Sequence, residues 1–161
     1  MQIKDTEKGL TLVEVMVALV FLTLGMLPIF SVITSSLNLA SRIENNLVAA
    51  NLAQEGVEVV RAIRDANWMA GNAFNQNLSN GSYTASWDSL TLTPWSTGQD
   101  SNLKLSSTNV YSHTTGSRTI FSRIIRITNF SNWIQVRVDV AWNERGQSKA
   151  ESVQSYLFNW K

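Results

Sequence analysis

Two hydrophobic rhythms divide the chain. From Val15 to Ile33 no residue is charged, and most positions are Val, Leu, Met, Phe, Ile or Ala. A run of that length is what a helix needs to cross the hydrocarbon layer of a bilayer. Beyond Ile33 the apolar positions thin to a stripe. Leu37, Ala40, Ile43, Leu47, Ala50, Ala53, Val57, Val60 and Ile63 recur three or four residues apart, the period of one helix face. Arg42, Glu44, Glu55, Glu58, Arg61 and Arg64 fall mainly on the other faces. The spacing does not break between the two segments, so one helix is predicted from Leu10 to about Asn67, roughly 85 Å long at about 1.5 Å per residue. A small domain cannot cover such a helix, which therefore belongs to an assembly.

After Trp68 the rhythm changes again. Ala70 to Ser82 and Thr93 to Asn102 are rich in Asn, Ser, Gly and Thr and read as loops. Ser82 to Leu92 and Leu103 to Tyr111 have room for strands. From Arg118 onward the strand signal strengthens. Ile134, Val136, Val138, Val140 and Trp142 alternate with Gln135, Arg137, Asp139 and Ala141, the period of a sheet with one buried face. Thr119 to Thr128 precedes this strand and Lys149 to Trp160 follows it, across turns at Asn129 to Asn132 and Asn143 to Gln147. The predicted fold class is α+β: a long N-terminal helix, apolar in its first half and amphipathic in its second, packed against a C-terminal antiparallel sheet. The simplest sheet is a three-stranded meander, marginal alone and covered by the stripe from Ala40 to Ile63.

Two features interrupt the apolar run. Gly25 and Pro28 lie inside it, and proline removes a backbone hydrogen bond, so a kink or a loosened turn is expected near residues 24 to 28. Glu14 places a carboxylate one turn inside the segment. That costs at least about 2.5 kcal/mol on insertion scales, which marks it as functional.

At Gly9-Leu10-Thr11-Leu12-Val13-Glu14 the chain resembles type IV pilins and pseudopilins, most closely their minor pilins and pseudopilin I-like members. The family pattern is a short charged leader, a Gly, a hydrophobic residue (most often Phe), then Thr-Leu-Val/Ile-Glu. Here Leu10 stands where Phe is commonest. The resemblance implies cleavage after Gly9 by a prepilin peptidase and N-methylation of Leu10. It also implies that Glu14 sets register by meeting the new amino group of a neighbouring subunit, and that the helix-breaking pair Gly25 and Pro28 lets the segment extend inside a filament. The implied organisation is a leader at residues 1–9, a membrane and filament-core segment at 10–35, an amphipathic segment at 36–67 and a globular β-domain at 68–161. Ala53 to Trp68 and the ending Asn159-Trp160-Lys161 are similar to the same group.

The implied partners are prepilin peptidase, other pilin or pseudopilin subunits through the N-terminal helix, and the cytoplasmic membrane. The chain would cross that membrane once with its N-terminus inside, then join a cell-surface or periplasmic filament. An alternative from another class is a single-pass anchored extracytoplasmic binding domain that never polymerises.

Composition narrows the chemistry. The formal net charge is +1, and there is no Cys and one His, which removes disulfides, thiolate zinc sites and paired imidazoles. No nucleophile elbow, phosphate loop, zinc-protease helix or dinucleotide fingerprint is present. His113, in Tyr111 to Gly116, reads as an exposed loop residue. Asp100 and Asn102 lack calcium-loop spacing and read as solvated. No enzymatic activity, metal or cofactor is expected. The segment from Arg118 is basic, but strand arginines more commonly face solvent or meet acidic helix residues, so DNA is not an expected partner. Among the six tryptophans, Trp142 reads as core, Trp68 and Trp160 as anchors between sheet and helix, and Trp133 as the opening of the central strand. Trp87 and Trp95 are the candidates for an exposed carbohydrate platform, although packing is the favoured reading for both.

Overall fold

The structure is a computed structural model that describes residue 9 and residues 11–160. The chain divides into two compact units, Met1–Glu44 and Asn45–Lys161. Helix α1 (Leu12–Met69, 58 residues) contributes to both. The fold is the predicted α+β: one long helix with an apolar stretch, and a C-terminal antiparallel sheet.

In the first unit α1 is a bare apolar rod. Sixteen large apolar side chains between Leu12 and Ile33 are 46 to 80 % exposed. The few hydroxyls there turn back on the helix: Thr23 Oγ1 donates to the Leu19 and Val20 carbonyls at 3.0 and 2.9 Å, and Thr34 Oγ1 donates to the Phe30 carbonyl at 2.8 Å. These bonds hide polar groups that hydrocarbon could not satisfy. The α-helical conformation runs unbroken through Gly25 and Pro28. Pro28 has no N–H, so the Leu24 carbonyl lacks its usual helical donor.

In the second unit the amphipathic half of α1 packs on the sheet. Its buried positions include Ala49, Leu52, Ala53, Gly56, Val57, Val60 and Ile63. The stripe predicted from Leu37 is therefore buried only in its later part. Leu37, Ile43 and Leu47 are about 60 % exposed, at 65, 58 and 61 %. Gly56 marks the closest approach: a Cβ there would lie 2.9 Å from Val138 Cγ1. The helix ends where Gly71, at φ +74°, adopts the left-handed conformation, while the amides of Gly71 and Asn72 reach back to the carbonyls of Trp68 and Asn67.

Among the described residues seven strands form the sheet: the predicted three-stranded meander, one in each of the two segments that had room for strands, and two further short ones. The seven are β1 (Gly81–Thr84), β2 (Thr93–Pro94), β3 (Asn102–Leu105), β4 (Tyr111–Ser112), β5 (Ser117–Asn129), β6 (Trp133–Glu144) and β7 (Gln147–Phe158). The predicted meander is present as β5-β6-β7, with Ile125 opposite Val138 and Val138 opposite Val153. Its second turn is two residues, Arg145 and Gly146, both at positive φ (52° and 78°), the geometry a tight hairpin of right-handed twist requires. The extra strands lie end to end along the other edge of β5, β1 opposite Ile125 to Ile127 and β3 opposite Ser117 to Ser122, with β2 and β4 outside them. Those outer strands are two residues long, and β2 contains Pro94, so that edge is blunted. The opposite edge is β7, twelve residues with no glycine or proline, pairing only with β6 among the described residues.

The helix-facing side of the sheet is apolar except at one place. Phe121, Ile125 and Ile127 of β5 are buried, and between them Arg123 is 0 % exposed. Its Nη1 donates to the Leu52 carbonyl (2.9 Å) and to Glu55 Oε1 (2.8 Å), and its Nη2 donates to the Ala85 carbonyl (2.7 Å). One guanidinium thus joins α1, β5 and the segment after β1. A buried charge is tolerable only with this degree of pairing.

Candidate functional site

The sequence places the candidate chemistry at the start of α1, and the residues there form a helix cap. Thr11 precedes the first helical residue, and its Oγ1 accepts the backbone N–H of Glu14 at 3.3 Å. Thr11-Leu12-Val13-Glu14 has the S/T-x-x-E spacing of a capping box, so the threonine satisfies a helix N–H that would otherwise be orphaned. Thr11 is a residue that reasoning from Glu14 alone passes over, although the three-residue spacing was there to find it. Glu14 also lies in the first turn, where the helix dipole favours an anion. Its carboxylate has no hydrogen-bond or ion-pair partner among the described residues and is exposed.

Gly9 is exposed, and a Cβ built on it would meet nothing within 4 Å. Leu10 and residues 1–8, which carry the expected methylation and leader, lie outside the described residues. Gly25 and Pro28 sit within the exposed apolar stretch of α1. That stretch is long and apolar enough to cross a membrane: its best 18-residue window has mean hydropathy 2.5 and is 0 % buried.

The other candidates lie in the second unit. His113 differs from the exposed loop residue expected. It is half-buried, its backbone N–H donates to Ser86 Oγ at 3.1 Å, and neither ring nitrogen makes a hydrogen bond. Burial lowers its pKa from 6.5 to about 4, and the Arg123 guanidinium pushes in the same direction. The neighbouring Ser112 Oγ donates to the Thr115 carbonyl at 3.0 Å, so serine and imidazole are not joined. Asp100 and Asn102 both accept from Arg118 Nη2, at 3.2 and 2.9 Å, so a cation already takes up their oxygens. No group of three or more potential metal-ligating His, Asp or Glu residues occurs among the described residues.

The basic segment is largely paired. Arg118 meets Asp100, Arg123 meets Glu55, and Arg126 and Arg137 both meet Asp139. Only Arg123 meets an acidic helix residue, as the sequence reading allowed; the other three pair with acids of the sheet domain itself.

The tryptophans separate into distinct environments. Trp142 is buried in the core, as predicted. Trp133 opens β6 and stacks on Phe130, ring centroids 3.8 Å apart. Trp68 is half-buried against the core, and Trp160 meets it edge-on at 4.7 Å while remaining 71 % exposed. Trp87 is 56 % exposed, and Trp95 is half-buried with its indole N–H on the Gln99 carbonyl. No family model, curated protein or solved structure matches the chain.

Proposed function

We propose that this chain is a structural subunit of the type IV pilin or pseudopilin kind, a minor pilin or pseudopilin held in the membrane as a precursor. In this reading it is cleaved after Gly9, N-methylated at Leu10 and polymerised through its N-terminal helix. Its action is polymerisation rather than catalysis. The observation that carries the reading is the register of three features: the Gly9 motif, the Glu14 carboxylate without a partner in the first helical turn, and the exposed apolar rod that follows at once. Leaving sixteen large apolar side chains in water would cost on the order of 20 kcal/mol, more than a domain's whole folding stability. That surface requires lipid or other helices. A carboxylate entering the same environment needs a cation, and cleavage creates one on Leu10.

The test is mass spectrometry of the N-terminus after co-expression with an active prepilin peptidase. A mature chain that begins at N-methylated Leu10 is the expected result. An intact Met1 terminus, with a control pilin processed in the same cells, would overturn the reading in favour of an anchored binding domain. The role of Glu14 is tested separately: Glu14→Ala should leave membrane insertion intact and abolish crosslinking into filaments.

A further inference from the structure

At the C-terminal end of α1, three pieces of the second unit come together: the helix exit and the loop after it, the β5–β6 turn, and the residues that follow β7. They border an open cleft of about 540 Å³ lined by Trp68, Asn72, Asn75, Ser131 and Asn159 among others, with no charged residue among the described lining. The volume falls within the roughly 300–1,000 Å³ of small-molecule sites. Trp160 packs edge-on against Trp68, so the pair stands beside the cavity with most of the Trp160 ring in solvent.

Packing does not account for this composition. Trp160 is 71 % exposed and adds little to the core. The side chains of Asn72, Ser131 and Asn159 have no hydrogen-bond partner among the described residues, and all three are exposed. The walls, by contrast, are fixed. Asn67 Nδ2 donates to the carbonyls of Phe74 (3.3 Å) and Gln76 (2.8 Å), pinning the loop after the helix. Asn75 Nδ2 donates to Asn129 Oδ1 at 3.3 Å, which ties that loop to β5. The Asn159 N–H donates to the Asn132 carbonyl at 2.8 Å, which ties the C-terminal residues to the β5–β6 turn. Arg64 lies 4.5 Å from the Trp68 ring centroid and pairs with Asp65, so this cation is already engaged.

We infer that this cavity binds an uncharged oligosaccharide, one pyranose ring stacking on the exposed Trp160 indole, which Trp68 buttresses edge-on, while its hydroxyl or acetamido groups meet Asn72, Ser131 and Asn159. Each amide offers two donors and an acceptor carbonyl, and serine offers one donor and two acceptors, which matches hydroxyls that both give and receive hydrogen bonds. A sugar's axial C–H face is apolar and matches an indole, whose large surface pairs with a polar rim. A phosphate or nucleic acid would need free cations, and the described residues of the lining supply none. Because the loop, the turn and the C-terminal residues are tied together beforehand, little ordering is lost on binding. The inference is independent of filament assembly.

The test is isothermal titration calorimetry of the full chain in phosphocholine micelles, since a maltoside headgroup would itself compete. Cellotriose, maltotriose and chitotriose are the probes. At least one should bind saturably with Kd at or below ~1 mM. Trp160→Ala and Asn72→Ala, both at exposed positions, should each weaken that binding at least about tenfold without changing the melting temperature. Trp95→Ala, whose indole is not part of the cavity, should leave it unchanged. No saturable heat with any of the three sugars, or binding that survives both Trp160→Ala and Asn72→Ala, overturns the proposal.

Discussion

The two stretches of α1 are built from the same amino acids and meet opposite fates. Val15, Val17, Leu19 and Val20 are 46 to 55 % exposed, whereas Leu52, Val57, Val59 and Val60 are at most 5 % exposed. Side-chain chemistry does not separate them. What differs is the rhythm around them: the first stretch is apolar on every face, and the second alternates its apolar face with Glu55, Glu58 and Arg61. A helix apolar on all sides needs an apolar medium, while a helix with one apolar face needs one surface to lie on. The sheet supplies that surface for the second stretch. For the first, the surface must come from outside the described residues.

The largest effect should come from removing what fastens the second stretch. Arg123→Ala leaves the Leu52 and Ala85 carbonyls, in a buried place, and the partly exposed Glu55 without this donor. It should cost about 3–5 kcal/mol in urea unfolding of the full chain in micelles, with micelle-bound helicity of residues 12–44 retained. A loss under 1 kcal/mol would mean that the guanidinium is not the fastening.

Matched truncations sharpen the comparison further. Val60→Ala, at 0 % exposure, should destabilise the sheet domain by about 2 kcal/mol. Leu22→Ala, at 56 % exposure, should leave the same unfolding transition within about 0.5 kcal/mol and weaken only partition into membranes. Equal effects on unfolding would erase the distinction between the halves.

His113 gives the second unit a pH dependence. Its folded pKa of about 4 lies below the ordinary 6.5 of histidine, so the unfolded chain takes up a proton more readily. This contribution to stability is complete above about pH 6.5 and is lost as pH falls through about 4. The difference of about 2.5 units sets a ceiling of about 3 kcal/mol, and partial exposure reduces it to about 1–2 kcal/mol. Unfolding measured from pH 7 to 4 should show the loss, and His113→Gln should flatten that part of the profile.

The smallest effect belongs to the start of the helix. Thr11→Ala removes the acceptor of the Glu14 N–H and should cost about 1 kcal/mol of helix stability. Hydrogen exchange at Glu14 should rise while amides from residue 45 onward stay protected.

How far the sequence went can be judged residue by residue. The helix and the alternation from Ile134 to Trp142 were plain, because a continuous period survives any uncertainty about neighbours. The strands β1 to β4 were poorly legible. Two- to four-residue pieces carry no period, and their place along β5 depends on bonds with partners far away in the chain. Arg123 was legible in principle: it occupies the inward phase set by Phe121, Ile125 and Ile127, though a lone arginine in a strand more often faces water. The half-burial of His113 was not legible, since Ser86, which receives its N–H, lies 27 residues earlier. Trp68 and Trp160 were read as anchors between sheet and helix, but their mutual contact and the amide-lined cleft beside it required three separate segments to converge.

The unequal edges of the sheet bear on how the chain fares before it reaches any destination. One edge ends in β2, with its proline, and in β4; the other is the twelve-residue β7 with open backbone groups. An uncovered strand of that length is a template on which stray chains can deposit. Lys149 and Glu151, both exposed, are its main safeguards, because stacking like charges in register penalises each added copy. Neutralising both would turn a chain that waits its turn into one that precipitates.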